Sequence, residues 1–308
     1  MKNLIERFVR RRNKWAIGIY EGRSSFDFKP AERIQNPVLT AQDVKDVSAE
    51  FVADPFMIYE EGTWYMFFEV LNQRDGLGDI ALATSHDGFK WNYQKVILDE
   101  PFHLSYPYVF KWNHEYYMIP ETHQTHSIRL YRATSFPTQW SFEKTLLDGH
   151  DYVDSSIFNF ENRWWLFTST TANKTLRLYY TDHLTDPWIE HPQSPIVANN
   201  LSIARPAGRV VLSEQGLVRY AQDCRTIYGR QVYAFIVKEL TPTSYREEMV
   251  KDIILRPSGS GWNKTGMHSI DPHLIDQDYW LACVDGHYQT LLIRLGSKTH
   301  CINTNFNF

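Results

Sequence analysis

Only three cysteines, Cys224, Cys283 and Cys301, occur in 308 residues. They are too few and too scattered for a disulfide framework or a structural zinc site, and such usage fits a reducing compartment. No run approaches the ~18 consecutive apolar residues that a membrane-spanning helix needs. Excess charge is also missing: 32 Lys+Arg against 36 Asp+Glu leave −4, which argues against a general nucleic-acid binder. Neither a G-x-x-x-x-G-K-[ST] phosphate loop nor G-x-G-x-x-G, H-E-x-x-H or G-x-S-x-G occurs. The 12 histidines are scattered without metal-ligand spacing. Helix-period segments are nearly absent after residue 50. Aromatic residues, by contrast, are abundant: 10 Trp, 18 Phe and 18 Tyr within a chain that is 43% hydrophobic, too apolar to be disordered.

These aromatics fall in short runs such as PFMIY, WYMFFEV and DIALATS, separated by Gly, Asn, Asp and Pro. Runs of that kind predict strands of about 5–7 residues joined by tight turns. Laid against itself, the chain repeats, with copies starting at Asp54, Tyr106, Asp154, Arg205 and Asp271, spaced by 52, 48, 51 and 66 residues. Two further strand-like runs lie between copies, so each unit holds four strands. Five such units predict an all-β, five-bladed β-propeller over residues 14–308. A two-sheet sandwich would not require equivalent residues to recur at one place in each unit. The fifth unit lacks a strand, and WAIGIY (15–20) is expected to supply it and close the ring, hiding edges that would otherwise be exposed.

The repeat also concentrates carboxylates. Glu69 and Glu121 lie fifteen residues after their copy starts. Symmetry about the intervening turn predicts Asp54 opposite Glu69, both at one mouth of the ring. The corresponding positions in the later copies are Ser169, Asp223 and Asp285. A convergence of Asp54, Glu69, Glu121, Asp154, Asp223, Asp271 and Asp285 around Arg205 is hard to explain by stability alone. Taken singly, each Asp also reads as a turn opener before Pro or at a strand start. His268, His123 and Arg74 fall near the same mouth, and Tyr106, Tyr108 and Trp262 offer flat faces for a sugar ring. Hard divalent cations favour such oxygens and could bind in the acidic mouth, but no spacing calls for one, so the sequence indicates no metal or other cofactor.

The phrases ADPFMIYEEGTWYMFFE and SYPYVFKWNHEYYMIPET, the turn at Arg205-Pro206-Ala207-Gly208, Gln222-Asp223-Cys224 with Tyr228-Gly229, and His268-Ser269-Ile270-Asp271-Pro272 resemble the propeller domain of glucosamine inositolphosphorylceramide transferases and their bacterial relatives. The likeness runs from about Trp15 to Gly286. At fold level the pattern is similar to the arabinanase, invertase and mannoside-phosphorylase superfamily. The resemblance implies carbohydrate chemistry in an axial pocket. Asp54 matches the first-blade Asp that serves as base or nucleophile. Tyr106 stands where the second blade would carry Asp, and Glu121 is the candidate acid, although no Glu matches that role clearly.

The expected activity is glycosyl transfer from a phosphate-linked donor, such as a nucleotide sugar, to a glycan or glycolipid acceptor. Asp54 would be the base, with Glu121, Asp154 and Asp271 sharing proton transfer. Glu69, Arg74, Tyr106, Arg205, Asp223, His268 and Asp285 would bind substrate. Arg205 suits a phosphate or a sugar carboxylate; alternatively it is a salt-bridge partner for the Asp residues around it. Glycoside hydrolysis or phosphorolysis with the same carboxylates is the second reading. A non-catalytic glycan-binding propeller is the third. Residues 1–13, MKNLIERFVRRRN, form a basic amphipathic pattern with Leu4, Ile5, Phe8 and Val9 on one helical face. Such a helix suits the inner face of the cytoplasmic membrane and a lipid-linked acceptor, or else is a solvated lead-in.

Overall fold

The computed structural model describes residues 9–295 and 298–303, with side chains described for 12–290. Two N-terminal strands, β1 (Val9–Ser24) and β2 (Asp27–Pro30), precede the first blade. That blade contains β3 (Ala49–Glu60), β4 (Thr63–Asn72), β5 (Gly78–Ser85) and β6 (Asn92–Leu98). The second follows as β7 (Ser105–Trp112), β8 (Glu115–Glu121), β9 (Ser127–Ser135) and β10 (Gln139–Asp148). The third is β11 (Tyr152–Phe160), β12 (Arg163–Thr170), β13 (Arg177–Thr181) and β14 (Ile189–Glu190). The fourth has β15 (Arg205–Pro206), β16 (Val211–Ser213), β17 (Gly216–Gln222), β18 (Val232–Leu240) and β19 (Tyr245–Met249). The fifth is built from β20 (Ile270–Asp276), β21 (Tyr279–Leu295) and β22 (Lys298–Asn303) with β1 and β2. This is an all-β, five-bladed propeller.

The ring closes through the N-terminus. β1 pairs antiparallel with β21 from Val9↔Ile293 to Gly22↔Trp280, and β2 pairs with β1 on the outside. The N-terminus therefore supplies two strands, where one was expected. Residues 1–8 of the expected basic helix lie outside the described residues. Val9–Asn13 form strand instead, because the long edge of β21 offers backbone partners that a helix there would leave unpaired.

Middle strands are sandwiched between neighbouring blades and buried on both faces, which is why runs such as WYMFFEV read as continuously apolar. Outer strands such as β6 and β10 are largely exposed and polar. One interblade core joins Phe56, Phe67, Tyr106, Tyr108, Leu130 and Leu166 across the first three blades. Burial of each such side chain contributes about 1.5–3 kcal/mol.

The hairpins at Glu61-Gly62, Asn113-His114 and Glu161-Asn162 have positive φ at both central residues. That geometry matches the twist of the flanking strands. Where β15 gives way to β16, Gly208 meets the fifth blade. A Cβ there would lie 1.7 Å from the Ile270 carbonyl oxygen, so only glycine allows the two inner strands to touch.

Candidate functional site

One recurring distortion positions the site. In the first three blades, residue pairing slips by one between Ala53 and Phe56, Ser105 and Tyr108, and Val153 and Ser156. Asp54, Tyr106 and Asp154 sit in these bulges with φ of 52°, 46° and 47°. Glu69 is therefore opposite Ala53, and Glu121 opposite Ser105. The symmetry argument that paired Asp54 with Glu69 failed because it assumed an unbroken ladder. A bulge adds one residue to the inner strand and re-aims its side chain.

The structure gathers Asp54, Glu69, Glu121, Asp154, Arg205, His268 and Asp285 at one mouth, each between 0% and 8% exposed. Arg205 is committed to its neighbours. Its Nε donates to Asp154 Oδ2 at 2.5 Å, Nη2 to Asp154 Oδ1 and Glu121 Oε2 at 3.1 Å each, and Nη1 to Asn173 Oδ1 at 2.7 Å. The salt-bridge alternative for Arg205 is thus the one that forms. Gln222 Nε2 donates to Asp154 Oδ2 at 2.6 Å. His123 Nδ1 donates to Glu121 Oε1 at 2.7 Å.

On the fifth-blade side, His268 Nδ1 donates to Asp285 Oδ1 at 2.8 Å. Backbone N–H groups of His268 and Ser269 donate to the same oxygen, and that of Asp54 to Oδ2. This leaves His268 Nε2 facing Asp54 Oδ1 at 3.6 Å. Asp54 Oδ1 is buried without a hydrogen-bond partner. Among the described residues, Asp54, His268 and Asp285 form a group whose donor atoms lie within 4.8 Å of one another, close enough to hold a cation.

Electrostatics divides the carboxyls. Burial, reinforced by the charges of Asp154, Asp285, Glu69 and Glu121, pushes Asp54 well above the usual carboxylate range. Glu69 is raised in the same way, by burial and then by Glu121 and Asp285. Asp154 is pushed up to about 6, burial outweighing the attraction of Arg205. Burial also acts on Glu121, but the His123 hydrogen bond and the Arg205 charge prevail and hold it down at about 2. At Asp285 burial is likewise overcome, by His268 and the backbone N–H groups, so its carboxyl is lowered. The site therefore sets carboxyls of raised and of lowered proton affinity side by side, the condition for assigning acids and bases.

Four expected residues are placed differently. Asp271 lies deeper along the inner strands, bonded to Arg209 Nε at 2.6 Å, the Met57 N–H at 2.6 Å and His273 Nε2 at 2.8 Å. It belongs to a separate ionic cluster, because its strand runs in regular register from Ile270 to Leu274, where Asp271 pairs with Cys283 and not with the mouth residues. Asp223 accepts from the Arg225 N–H and Gln231 Nε2, fixing its own loop. Gln222 takes the axial place because it, and not Asp223, pairs with Arg205. Arg74 is an exposed rim residue held by Asp75 at 2.9 Å and Asp99 at 3.8 Å. Tyr106 is fully buried, its hydroxyl 3.0 Å from Ser156 Oγ and its ring edge-on to Phe56, so it presents no stacking face.

Sequence reasoning missed His103, Gln222 and Tyr228. His103 Nδ1 accepts the Gly78 N–H, which places Nε2 3.6 Å from Glu69 Oε1. Tyr228 lies edge-on to His268 and over Arg205, 37% exposed at the rim. The Tyr228-Gly229 pair was visible as part of the family likeness; His103 sits in an interblade segment that carries no repeat signal.

Comparison with known proteins agrees with this architecture. Glucosamine inositolphosphorylceramide transferase 1 of Oryza sativa subsp. japonica is 37% identical over 296 residues, covering 88% of this chain and 40% of the relative. The Arabidopsis thaliana protein of the same name is 33% identical, covering 88% and 39%. The chain thus spans about two fifths of the length of these curated relatives. A glycosyl hydrolase from Bacteroides ovatus superposes with a TM-score of 0.63 at 11% identity, over 91% of this chain and 93% of its own. RS223-beta-xylosidase gives 0.60 at 12%, over 74% and 82%. At such identities these two show the shared fold alone. The family model described as "Glucosamine inositolphosphorylceramide transferase 1, N-terminal" matches residues 10–287, and the chain belongs to that family.

Proposed function

We propose that this chain is a carbohydrate-active enzyme that transfers a sugar from a phosphate-linked donor to a hydroxyl of a glycan or glycolipid, exchanging the proton at Asp54. The observation that carries this reading is the Asp54 carboxyl, which is buried, raised in proton affinity and has one unpartnered oxygen facing His268. Relatives named as transferases support the transfer half of the proposal.

When ionised, a carboxylate of raised proton affinity is a stronger base than an ordinary one. It takes the proton of the acceptor hydroxyl as that oxygen attacks the anomeric carbon. The bond from that carbon to the donor's phosphate oxygen breaks, and the phosphate leaves with the electron pair. Asp285 holds His268 in place, with its Nε2 toward Asp54. Glu69, kept protonated, donates to a sugar oxygen, while Glu121 and Asp154, fixed by Arg205, accept from sugar hydroxyls. The acceptor in this proposal is lipid-linked and approaches from a membrane surface; among the described residues no helix is long and apolar enough to cross one.

Hydrolysis or phosphorolysis is favoured by a different observation: a protonated Glu69 beside ionised carboxylates is also the acid–base pairing that glycoside cleavage uses. Incubation with a panel of nucleotide sugars and an acceptor separates the two. Donor-dependent nucleotide release that disappears in Asp54→Asn supports transfer. Release of reducing sugar from oligosaccharides without donor supports cleavage, and full turnover by Asp54→Asn removes the role given to that residue.

A further inference from the structure

We propose that Tyr228 is a specificity-determining residue of the mouth, its ring stacking on a sugar that carries no negative charge. This rests on the transfer reading and gives its sugar a class and a contact. Carboxyls hold the hydroxyls of a sugar, but the C–H side of the ring needs an apolar face. Tyr106, Tyr108 and Trp262 have the side chains for this, and the fold withdraws all three. Tyr106 is fully buried against Phe56, and Tyr108 is 2% exposed, with the Arg209 guanidinium over its ring. Trp262 packs on β1 and β21 in the neighbouring cleft between the fifth and first blades, where a Cβ at Gly18 or Gly286 would meet its ring at 2.8 or 2.9 Å. Trp15 lines the same cleft, and its ring is taken up by His268 and His287, at centroid distances of 4.1 and 4.2 Å. Among these aromatics around the mouth, Tyr228 keeps the open surface, 37% of the residue.

Tertiary contacts fix where that surface stands. The Tyr228 ring centroid lies 5.1 Å from the Arg205 guanidinium carbon, 5.2 Å from the His268 ring and 6.3 Å from Trp15. The next residue, Gly229, has φ of 66°, and a Cβ there would stand 2.7 Å from His268 Cβ. Glycine thus lets the loop press against His268 and seat the ring at the rim. A sugar stacked on Tyr228 has its hydroxyls beside His268, which faces Asp54, and beside the carboxyls bound to Arg205.

The same contacts decide the charge of the sugar. Arg205 spends its in-plane donors on Asp154, Glu121 and Asn173, and its face lies against Tyr228. A carboxylate on the sugar would therefore enter a mouth crowded with carboxyls whose guanidinium is already committed. Hydroxyls, by contrast, donate to those oxygens. Tyr228 selects the ring by its apolar face, and the carboxyls reject an anion by like charge. The donor's phosphate then lies outward of the Tyr228 rim.

NMR titration of the whole chain with neutral pyranosides (methyl glucoside, methyl galactoside, methyl mannoside and N-acetylglucosamine) and with glucuronic and galacturonic acids tests this. At least one neutral sugar should bind about fivefold or more tighter than either acid. Tyr228→Ala should weaken that sugar about fivefold or more at an unchanged melting temperature. Tyr228→Phe, which keeps the ring, should stay within about twofold of the wild type. On any donor that is turned over, the Tyr228→Ala loss should fall on KM more than on kcat, because stacking acts on ground and transition states alike. No binding of the neutral sugars, acids that bind as well as they do, wild-type affinity in Tyr228→Ala, or an equal loss in Tyr228→Phe overturns the inference. Donor turnover with an unaltered KM in Tyr228→Ala removes the role of Tyr228 and leaves the transfer reading standing. Ring-dependent binding of a neutral sugar without turnover on any donor supports Tyr228 and ends that reading.

Discussion

Two buried ionic clusters are built on the inner strands of this propeller, and they resolve burial in opposite ways. Around Asp271, one carboxylate meets Arg209, His273 and a backbone N–H, and its proton affinity is lowered despite complete burial. Arg209 also donates to the Val109 and Met57 carbonyls and lies over Tyr108, so this cluster ties several blades together. At the mouth, five carboxyls crowd around Arg205 and a set of histidines, and three of them are raised in proton affinity. Equal burial therefore does not mean an equal role. Balanced charge reads as structure, and unbalanced charge, which costs stability, reads as chemistry.

The sharpest way to break this comparison is Asp54→Asn. Turnover should fall by about 10²–10⁴-fold, with no loss of melting temperature; an active variant would make the mouth as structural as the Asp271 cluster. Arg209→Met should do the reverse. Removing the guanidinium from the buried Asp271, which keeps only the Met57 N–H and His273, costs about 3–5 kcal/mol, seen as a lowered denaturation midpoint, and any residual activity should track the folded fraction.

The pH dependence sharpens the contrast further. Asp54, Glu69 and Asp154 bind protons more tightly folded than unfolded, so their contribution to stability is full at pH below about 4 and is lost as pH rises through their raised values. Glu121 and Asp285 act oppositely, stabilising above the ordinary carboxylate range and losing that as pH falls toward about 2 for Glu121. Melting should therefore be higher near pH 5 than near pH 8, and Asp54→Asn with Glu69→Gln should flatten the difference. If Asp54 is the base, turnover should instead rise with pH, with a midpoint above the usual carboxylate value. The smallest effect expected is from Glu69→Gln alone, a gain of about 1 kcal/mol at neutral pH, measured by chemical denaturation; destabilisation there would mean that Glu69 is held by bonds that outweigh its repulsion.

Much of this site was legible before folding. Asp54, Glu69, Glu121, Asp154, Arg205, His268 and Asp285 converge as the repeat predicts, because each inner strand runs to the same axis. Asp271, Asp223 and Arg74 do not join them: Asp271 starts a blade without a bulge there, Asp223 stands one residue beyond the residue in register, and Arg74 is held by Asp75 and Asp99 in an exposed loop. A one-residue slip moves a side chain to the other face of a strand, and nothing in the spacing of the copies marks where a slip occurs.

The amino-acid sequence by itself determined the number of blades, the N-terminal closure and the gathering of acidic side chains toward one mouth, because periodic burial and hairpin turns are local properties written in residue order. Only the tertiary structure decided which carboxyls are raised and which are lowered in proton affinity, that Arg205 bonds to Asp154 and Glu121, and that a cleft lined by Trp15 abuts His268. Those outcomes depend on distances of a few ångströms between residues far apart in the chain, such as the 231 positions between Asp54 and Asp285, and electrostatic energy in a buried site is set by such distances and by desolvation, not by order along the chain.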